Sequence, residues 1–180
     1  MVVNKILVKL SLFIVLILSS ISAIAFAPED SYILGPGDKL AIQVFGQEDL
    51  DIETLLGNSG KINYPFLGEI EVAGLTVKQV EQFIERGLKG DYLVSPNVYA
   101  HVIEYRPFYI HGEVKKPGGY PYHPGMTVNQ AVALAGGLTE RADENKVSLF
   151  KEGDKSRKQK ASLDFKVNAG DTITIAQRFF

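Results

Sequence analysis

The chain has 180 residues, 46% of them hydrophobic and 22% charged, with 19 basic against 21 acidic side chains and a net charge of −2. It contains no cysteine, which excludes disulfides, thiolate metal sites, cysteine catalysis and lipidation at a signal-peptide cysteine. So balanced a charge gives no general attraction for nucleic acid or anionic membrane, and no nucleic-acid partner is expected.

Lys5 and Lys9 precede an apolar run over residues 10–18 broken only by Ser11, and small residues follow at Ser22, Ala23 and Ala25. This is the layout of a signal peptide over residues 1–25, cleaved after Ala25 because Ala23 and Ala25 satisfy the small-x-small rule. The rival is an uncleaved anchor, since the uncharged residues 10–27 just reach the roughly 18 residues of a membrane span. Cleavage leaves 155 residues with 17 basic and 21 acidic side chains, enough for one ordinary domain or two small ones.

The mature chain opens with Gly35, Pro36, Gly37 and Asp38 ahead of an alternating apolar run over 40–45. Two glycines around a proline of fixed φ make a tight turn, and Asp38 can hydrogen-bond nearby backbone, so a strand follows the turn. The device recurs at Gly170 and Asp171 before a strand over 172–176. Short strands are expected at 61–64 and 69–72. Thr76 and Gln79 then form a capping box, opening a helix that buries Val77, Val80, Phe83, Ile84 and Leu88, leaves Lys78, Gln82 and Glu85 to solvent, and ends around Gly87 or Gly90. A Val- and Tyr-rich strand spans 97–105 until Pro107, which cannot donate to a sheet ladder, interrupts it.

A second unit repeats the scheme. A strand over 108–112 ends at Gly112, a turn at Pro117, Gly118 and Gly119 leads to a return strand over 120–122, and Thr127 with Gln130 forms a second capping box. That helix stops at Gly136 and Gly137, and strands follow near 147–151 and 159–163. The expected fold class is α+β: two small mixed β-sheet units each with one capped helix, residues 26–106 and 107–180.

In order, these blocks resemble the periplasmic polysaccharide export proteins of Gram-negative bacteria. The resemblance is carried by residues 34–45, by Gly60, Lys61 and Ile62, by Pro65 to Ile70, by Ala73 to Thr76, and in the second unit by His111 to Gly118 and Ala135 to Thr139. It implies a polysaccharide-export domain followed by a soluble-ligand-binding β-grasp domain. It further implies a homo-oligomeric ring in the periplasm, associated with the outer membrane, that passes capsule or exopolysaccharide without catalytic residues or a cofactor. In that family the glycines, Pro36, Pro117, Asp38 and the capped helices are structural. The chain departs from the best-known branch in having no lipidated cysteine and no C-terminal amphipathic helix, which leads to the expectation of a separate outer-membrane β-barrel as partner. An inner-membrane chain-length regulator is a further partner the resemblance leaves open.

Other features admit competing readings. His101, His111 and His123 lack the spacing of a zinc motif, so no metal is expected. Glu48, Asp49 and Asp51 crowd one loop and read as solvated acids rather than as the paired carboxylates of a glycosidase. Aromatics gather at Tyr92, Tyr99, Tyr105, Phe108, Tyr109, Tyr120 and Tyr122, where core packing competes with stacking on sugar. Residues 151–160 carry five basic and two acidic side chains around Gly153; the alternatives are a solvated hairpin or contact of Lys155, Arg157 and Lys158 with an acidic polysaccharide. Phe179 and Phe180 fit a covered subunit surface better than the terminus of a barrel. The rival functions are a monomeric carbohydrate-binding adaptor and a polysaccharide-modifying enzyme, the latter requiring a nucleophile–base pair or converging acids.

Overall fold

A computed structural model describes residues 32–178, with the side chains of residues 154–157 left aside. The signal segment and Phe179 with Phe180 lie outside the described residues. The protein is α+β. The Gly-Pro-Gly-Asp turn feeds β1 (Lys39–Val44), which is flanked antiparallel by β2 (Ile52–Leu55) and β5 (Val98–Glu104) in the order β2-β1-β5. β3 (Lys61–Tyr64) and β4 (Gly68–Glu71) form a separate hairpin. β2 was not expected, because its Ile-Glu-Thr-Leu sequence is too short and too half-buried to stand out.

The first helix, α1 (Val77–Leu88), is opened by the expected box: Thr76 Oγ1 accepts from Gln79 N at 3.2 Å and Gln79 Oε1 from Thr76 N at 2.9 Å. Its buried face is Val80, Glu81, Ile84 and Leu88, whereas Phe83, expected inside, is 43% exposed. The face is rotated toward Glu81 for a physical reason. β5 has only β1 beside it, and the backbone N–H groups of Val98 and Ala100 donate to the carboxylates of Glu85 (3.3 Å) and Glu81 (3.0 Å). Two helical acids four residues apart thus satisfy strand donors that would otherwise be orphaned, and Glu85 is not the solvated residue its pattern suggested. The helix ends at Leu88, between Gly87 and Gly90 as expected. Gly87 lies in its last turn, where an added Cβ would come within 2.8 Å of Leu67 Cδ1, so the glycine permits close packing on the β3–β4 connection.

After Pro107 the chain builds a five-stranded sheet from β6 (Phe108–Gly112), β7 (Gly118–Tyr120), β8 (Ala142–Lys151), β9 (Asp154–Ala161) and β10 (Thr172–Gln177), in the order β7-β6-β10-β8-β9. β6 and β10 are parallel and the other pairs antiparallel. β7 begins at Gly118, inside the expected turn, and Tyr122 is buried outside any strand. β8 and β9 each start about five residues earlier than expected, because their leading residues are polar and carry no apolar alternation. The second helix, α2 (Val128–Leu134), covers one face, with Val128 and Ala131 fully buried against Phe108, Ile110, Leu149, Ile173 and Ile175. Gly112 closes β6 at φ +89°, and an added Cβ there would collide with the Ile175 carbonyl oxygen, so no other residue lets β10 approach so closely.

α2 is only seven residues long and owes its start to Thr127, which accepts from Gln130 N at 3.4 Å while Gln130 Oε1 accepts from Thr127 N at 2.8 Å. Thr127→Ala and Thr76→Ala are each expected to lower stability by about 1 kcal/mol. Urea unfolding measures this, and an unchanged midpoint in both variants would show that packing alone holds the helix starts.

Candidate functional site

The Gly-Pro-Gly-Asp turn does more than start a strand. Asp38 is fully buried, and its carboxylate accepts four hydrogen bonds, two on each oxygen: from Tyr32 Oη (2.7 Å) and Arg106 N (2.8 Å) on Oδ1, and from Gly35 N (2.9 Å) and an Arg106 terminal nitrogen (2.6 Å) on Oδ2. The acceptor capacity of an ionised carboxylate is thereby filled. Arg106 precedes Pro107 in the connection between β5 and β6. Its Nε donates to Glu152 at 2.7 Å and its guanidinium lies 5.5 Å from the Tyr32 ring centroid. Gly35 is needed for room, since a Cβ there would sit 2.8 Å from the guanidinium carbon.

The second Gly-Asp turn docks on the chain just after that arginine, at Pro107 and Tyr109. Asp171 Oδ2 accepts from Asn168 N at 2.8 Å, Tyr109 N donates to Asp171 O at 2.8 Å, and Gly170 N donates to Pro107 O at 3.0 Å. At Gly170 an added Cβ would run into the carboxylate of Glu152, the residue that pairs with Arg106. Both turns therefore converge on residues 106–109. Tyr32, Tyr105 and Tyr122 complete this joint, with ring centroids 4.8 to 6.2 Å apart, and Tyr32 packs against both hydrophobic cores.

Burial shapes the titration of these groups. It raises the Tyr32 phenol, helped by the hydrogen bond to Asp38. It opposes the charge on Arg106, but Asp38, Tyr32 and Glu152 outweigh it and the pKa of the guanidinium is raised. Burial also raises Asp171 from its ordinary carboxyl value, against the lowering effect of backbone hydrogen bonds from Asn168 and Glu152.

What the joint holds in place is the face of the second sheet that α2 leaves uncovered. Cross-strand register aligns two rows on it. Tyr109, Thr172, Phe150 and Lys158 form one, and His111, Thr174, Ser148 and Lys160 the other. Their inward neighbours Ile110, Ile173 and Leu149 are buried, so the alternation assigns the rows to the side away from α2, on which Ser148 is itself only 8% exposed. Tyr109 is 50% exposed, the His111 Nε2 lies 3.0 Å from Thr174 Oγ1, and a shallow groove of about 390 Å³ is lined by Lys146, Ser148, Lys158 and Lys160. Hydroxyls, a ring and ammonium groups on one sheet face can hydrogen-bond, stack and pair with anions, all with weak single contacts.

Lys158 is thus on this face, while the side chains of Lys155 and Arg157 lie outside the described ones. The basic run is not merely a hairpin tip: it forms the edge strand β9. Lys115 N donates to Gly137 O at 3.0 Å and Lys116 N to Ala135 O at 2.9 Å, which docks the loop before Pro117 and Gly118 on the Gly136–Gly137 helix stop. The three histidines sit on separate elements or loops, and no group of three potential ligands among the described residues could hold a metal ion. Asp51 is not simply solvated, because its carboxylate accepts from Val44 N at 2.8 Å and ties the end of β1. Of the aromatics, Phe108 is core, Tyr105 and Tyr122 belong to the joint, and Tyr92 and Tyr99 join Tyr109 at the surface. Tyr92 stacks on Phe66 at 4.7 Å.

The residues that sequence reasoning missed are Arg106, Glu152, Tyr32 and Glu81. No local pattern marks Arg106, whose main partner is 68 positions away. Arg106→Ala removes the charge that compensates buried Asp38 and is expected to cost about 3–5 kcal/mol, with Arg106→Lys recovering only part because an ammonium cannot fork between Asp38 and Glu152. Equal chemical stability of Arg106→Ala and the parent would refute the joint. For Asp171 the folded pKa lies above the unfolded one, so its contribution is complete at low pH and is lost as pH rises through the folded value. Asp171→Asn escapes that loss. Its melting temperature relative to the parent is therefore expected to improve as pH rises from below the unfolded carboxyl value of about 3.9, and a flat difference across that rise would argue against burial as the cause.

Comparison with known proteins converges on one family. Residues 27–102 match the family described as polysaccharide biosynthesis/export protein, and residues 107–159 match the SLBB domain. The exopolysaccharide production protein ExoF of Rhizobium meliloti (strain 1021) is 35% identical over 136 residues, covering 68% of this chain and 32% of that protein. The polysialic acid transport protein KpsD of Escherichia coli is 27% identical over 168 residues, covering 87% of this chain and 30% of its own length. The EPS I polysaccharide export outer membrane protein EpsA of Ralstonia nicotianae (strain ATCC BAA-1114 / GMI1000) is 30% identical over 149 residues, covering 68% and 39%. The chain thus spans only 30–39% of the length of these relatives. With two matched regions and relatives of three related kinds, this chain belongs to the polysaccharide export protein family.

Proposed function

We propose that the protein is a periplasmic, outer-membrane-associated subunit of an exopolysaccharide or capsule export channel, that it acts as a homo-oligomeric ring, and that it performs no catalysis. The observation that carries this reading is the pairing of the two family regions, one on each side of the Arg106 joint. A ring needs protomers of fixed internal geometry, because a small change of angle within each subunit would accumulate around the circle. A buried ion pair with its hydrogen bonds satisfied supplies that rigidity between the two cores.

Transport on this reading is geometric. Polymer is driven by its synthesis, and the ring supplies a hydrated passage whose wall must hold sugar weakly enough to release it. Exposed polar contacts worth about 0.2–1 kcal/mol each suit that requirement. The names of the relatives, which refer to exopolysaccharide production, polysialic acid transport and outer-membrane polysaccharide export, favour the same cargo class.

Deleting the gene is expected to deplete surface polysaccharide while secretion of other products continues, with recovery on complementation. Undiminished surface polymer would overturn the export reading. The solution mass is expected to be a multiple of the 19.8 kDa chain, allowing for removal of the leader. A strict monomer would overturn the ring and leave a carbohydrate-binding adaptor.

A further inference from the structure

We infer that the open face of the second sheet binds an acidic, carboxylate-bearing polysaccharide, with Lys158 and Lys160 as its anion-recognising side chains and Tyr109 as a stacking ring at the far end of the same row. This rests on the export reading and narrows its cargo by chemistry.

Charge sign is the first argument. The chain has more acidic than basic residues, yet residues 151–160 reverse the balance with five basic against two acidic. Lys158 and Lys160 are exposed and point to one side of β9, about 7 Å apart along the strand. Among the described residues neither makes an ion pair with a carboxylate. An anionic partner is what complements them.

Their placement is the second. The register carries the face from the lysines through Phe150 and Ser148 and through Thr172 and Thr174 to Tyr109 and His111. Four strands at about 4.8 Å spacing span about 14 Å, which suits a chain segment rather than one sugar ring. The half-buried hydroxyls of Thr172 and Thr174 lie in the middle, where a sugar hydroxyl can exchange hydrogen bonds, while Ser148 is buried at 8% exposure. Lysine is also the right cation for a moving polymer, since its ammonium is a hydrated point charge that lacks the bidentate grip of arginine.

A competing explanation is edge protection. β9 is an outer strand, and lysines there deter pairing with another sheet. That role needs charge but not a particular sign, and this separates the two. Lys158→Glu combined with Lys160→Glu keeps the edge charged while reversing what it attracts.

The experiment titrates the purified protein with polygalacturonate and, separately, with neutral dextran, at low and high salt. Polygalacturonate is expected to bind in a salt-sensitive way, with dextran at least tenfold weaker. The double reversal should weaken polygalacturonate binding at least tenfold at an unchanged melting temperature, and Lys158→Gln with Lys160→Gln should fall between. Equal binding of the two polymers, or binding indifferent to the reversal, overturns the inference. So does a reversal that changes only the oligomeric mass, because the face would then be a contact between copies. In cells, a reversed variant that restores surface polymer as well as the parent, with polygalacturonate binding intact, sinks the inference and leaves export standing, whereas a deletion without effect sinks export itself.

Discussion

The fold depends on one buried carboxylate. Asp38 is fully enclosed, and an ionised acid in that position is tolerable only because four donors surround it and one carries a full positive charge. Two of those four bonds come from Arg106, one from its backbone and one from its side chain. The turn that begins the first sheet is therefore incomplete until the chain has finished β5 and started toward β6. The start of one unit and the start of the other are stabilised by the same group of atoms.

Glu152 extends this arrangement across the second sheet. It sits at the β8–β9 connection, pairs with Arg106, and crowds Gly170 beside the second Gly-Asp turn. The two turns have the same local chemistry but different electrostatics. Asp38 faces an arginine, whereas Asp171 is held by backbone donors and by a more distant Lys151, so burial prevails and its pKa rises. Two copies of one sequence device thus act as an ion-pair anchor in one place and a hydrogen-bonded corner in the other.

Coverage follows a division of labour. α1 caps the exposed donors of β5 with Glu81 and Glu85, protecting that edge. α2 seals one face of the five-stranded sheet with small residues, and the opposite face keeps its hydroxyl, aromatic and lysine rows. Arg106 meets Glu152 where β8 turns into β9. The ion pair and the exposed rows therefore rest on different side chains.

By itself, the sequence determined what depends on near neighbours. Both capping boxes, the Gly-Asp turns, the break at Pro107, the stop at Gly136 and Gly137 and the α+β class follow from contacts within a few residues, where residue type nearly dictates geometry. The family pattern was legible for the same reason, since its blocks are turns and caps. Other features were decided only by tertiary structure. The inward turn of Glu81, the displacement of Phe83 and the early starts of β8 and β9 depend on what lies across from them, and a polar strand has no periodic signal of its own. Arg106 shows this most clearly: nothing beside it in the chain distinguishes it, and its role comes from a carboxylate 68 residues away that needs a buried countercharge. The two rows on the open sheet likewise require residues of β6, β10, β8 and β9 to be brought into register, a pairing set by long-range hydrogen bonding rather than by local propensity.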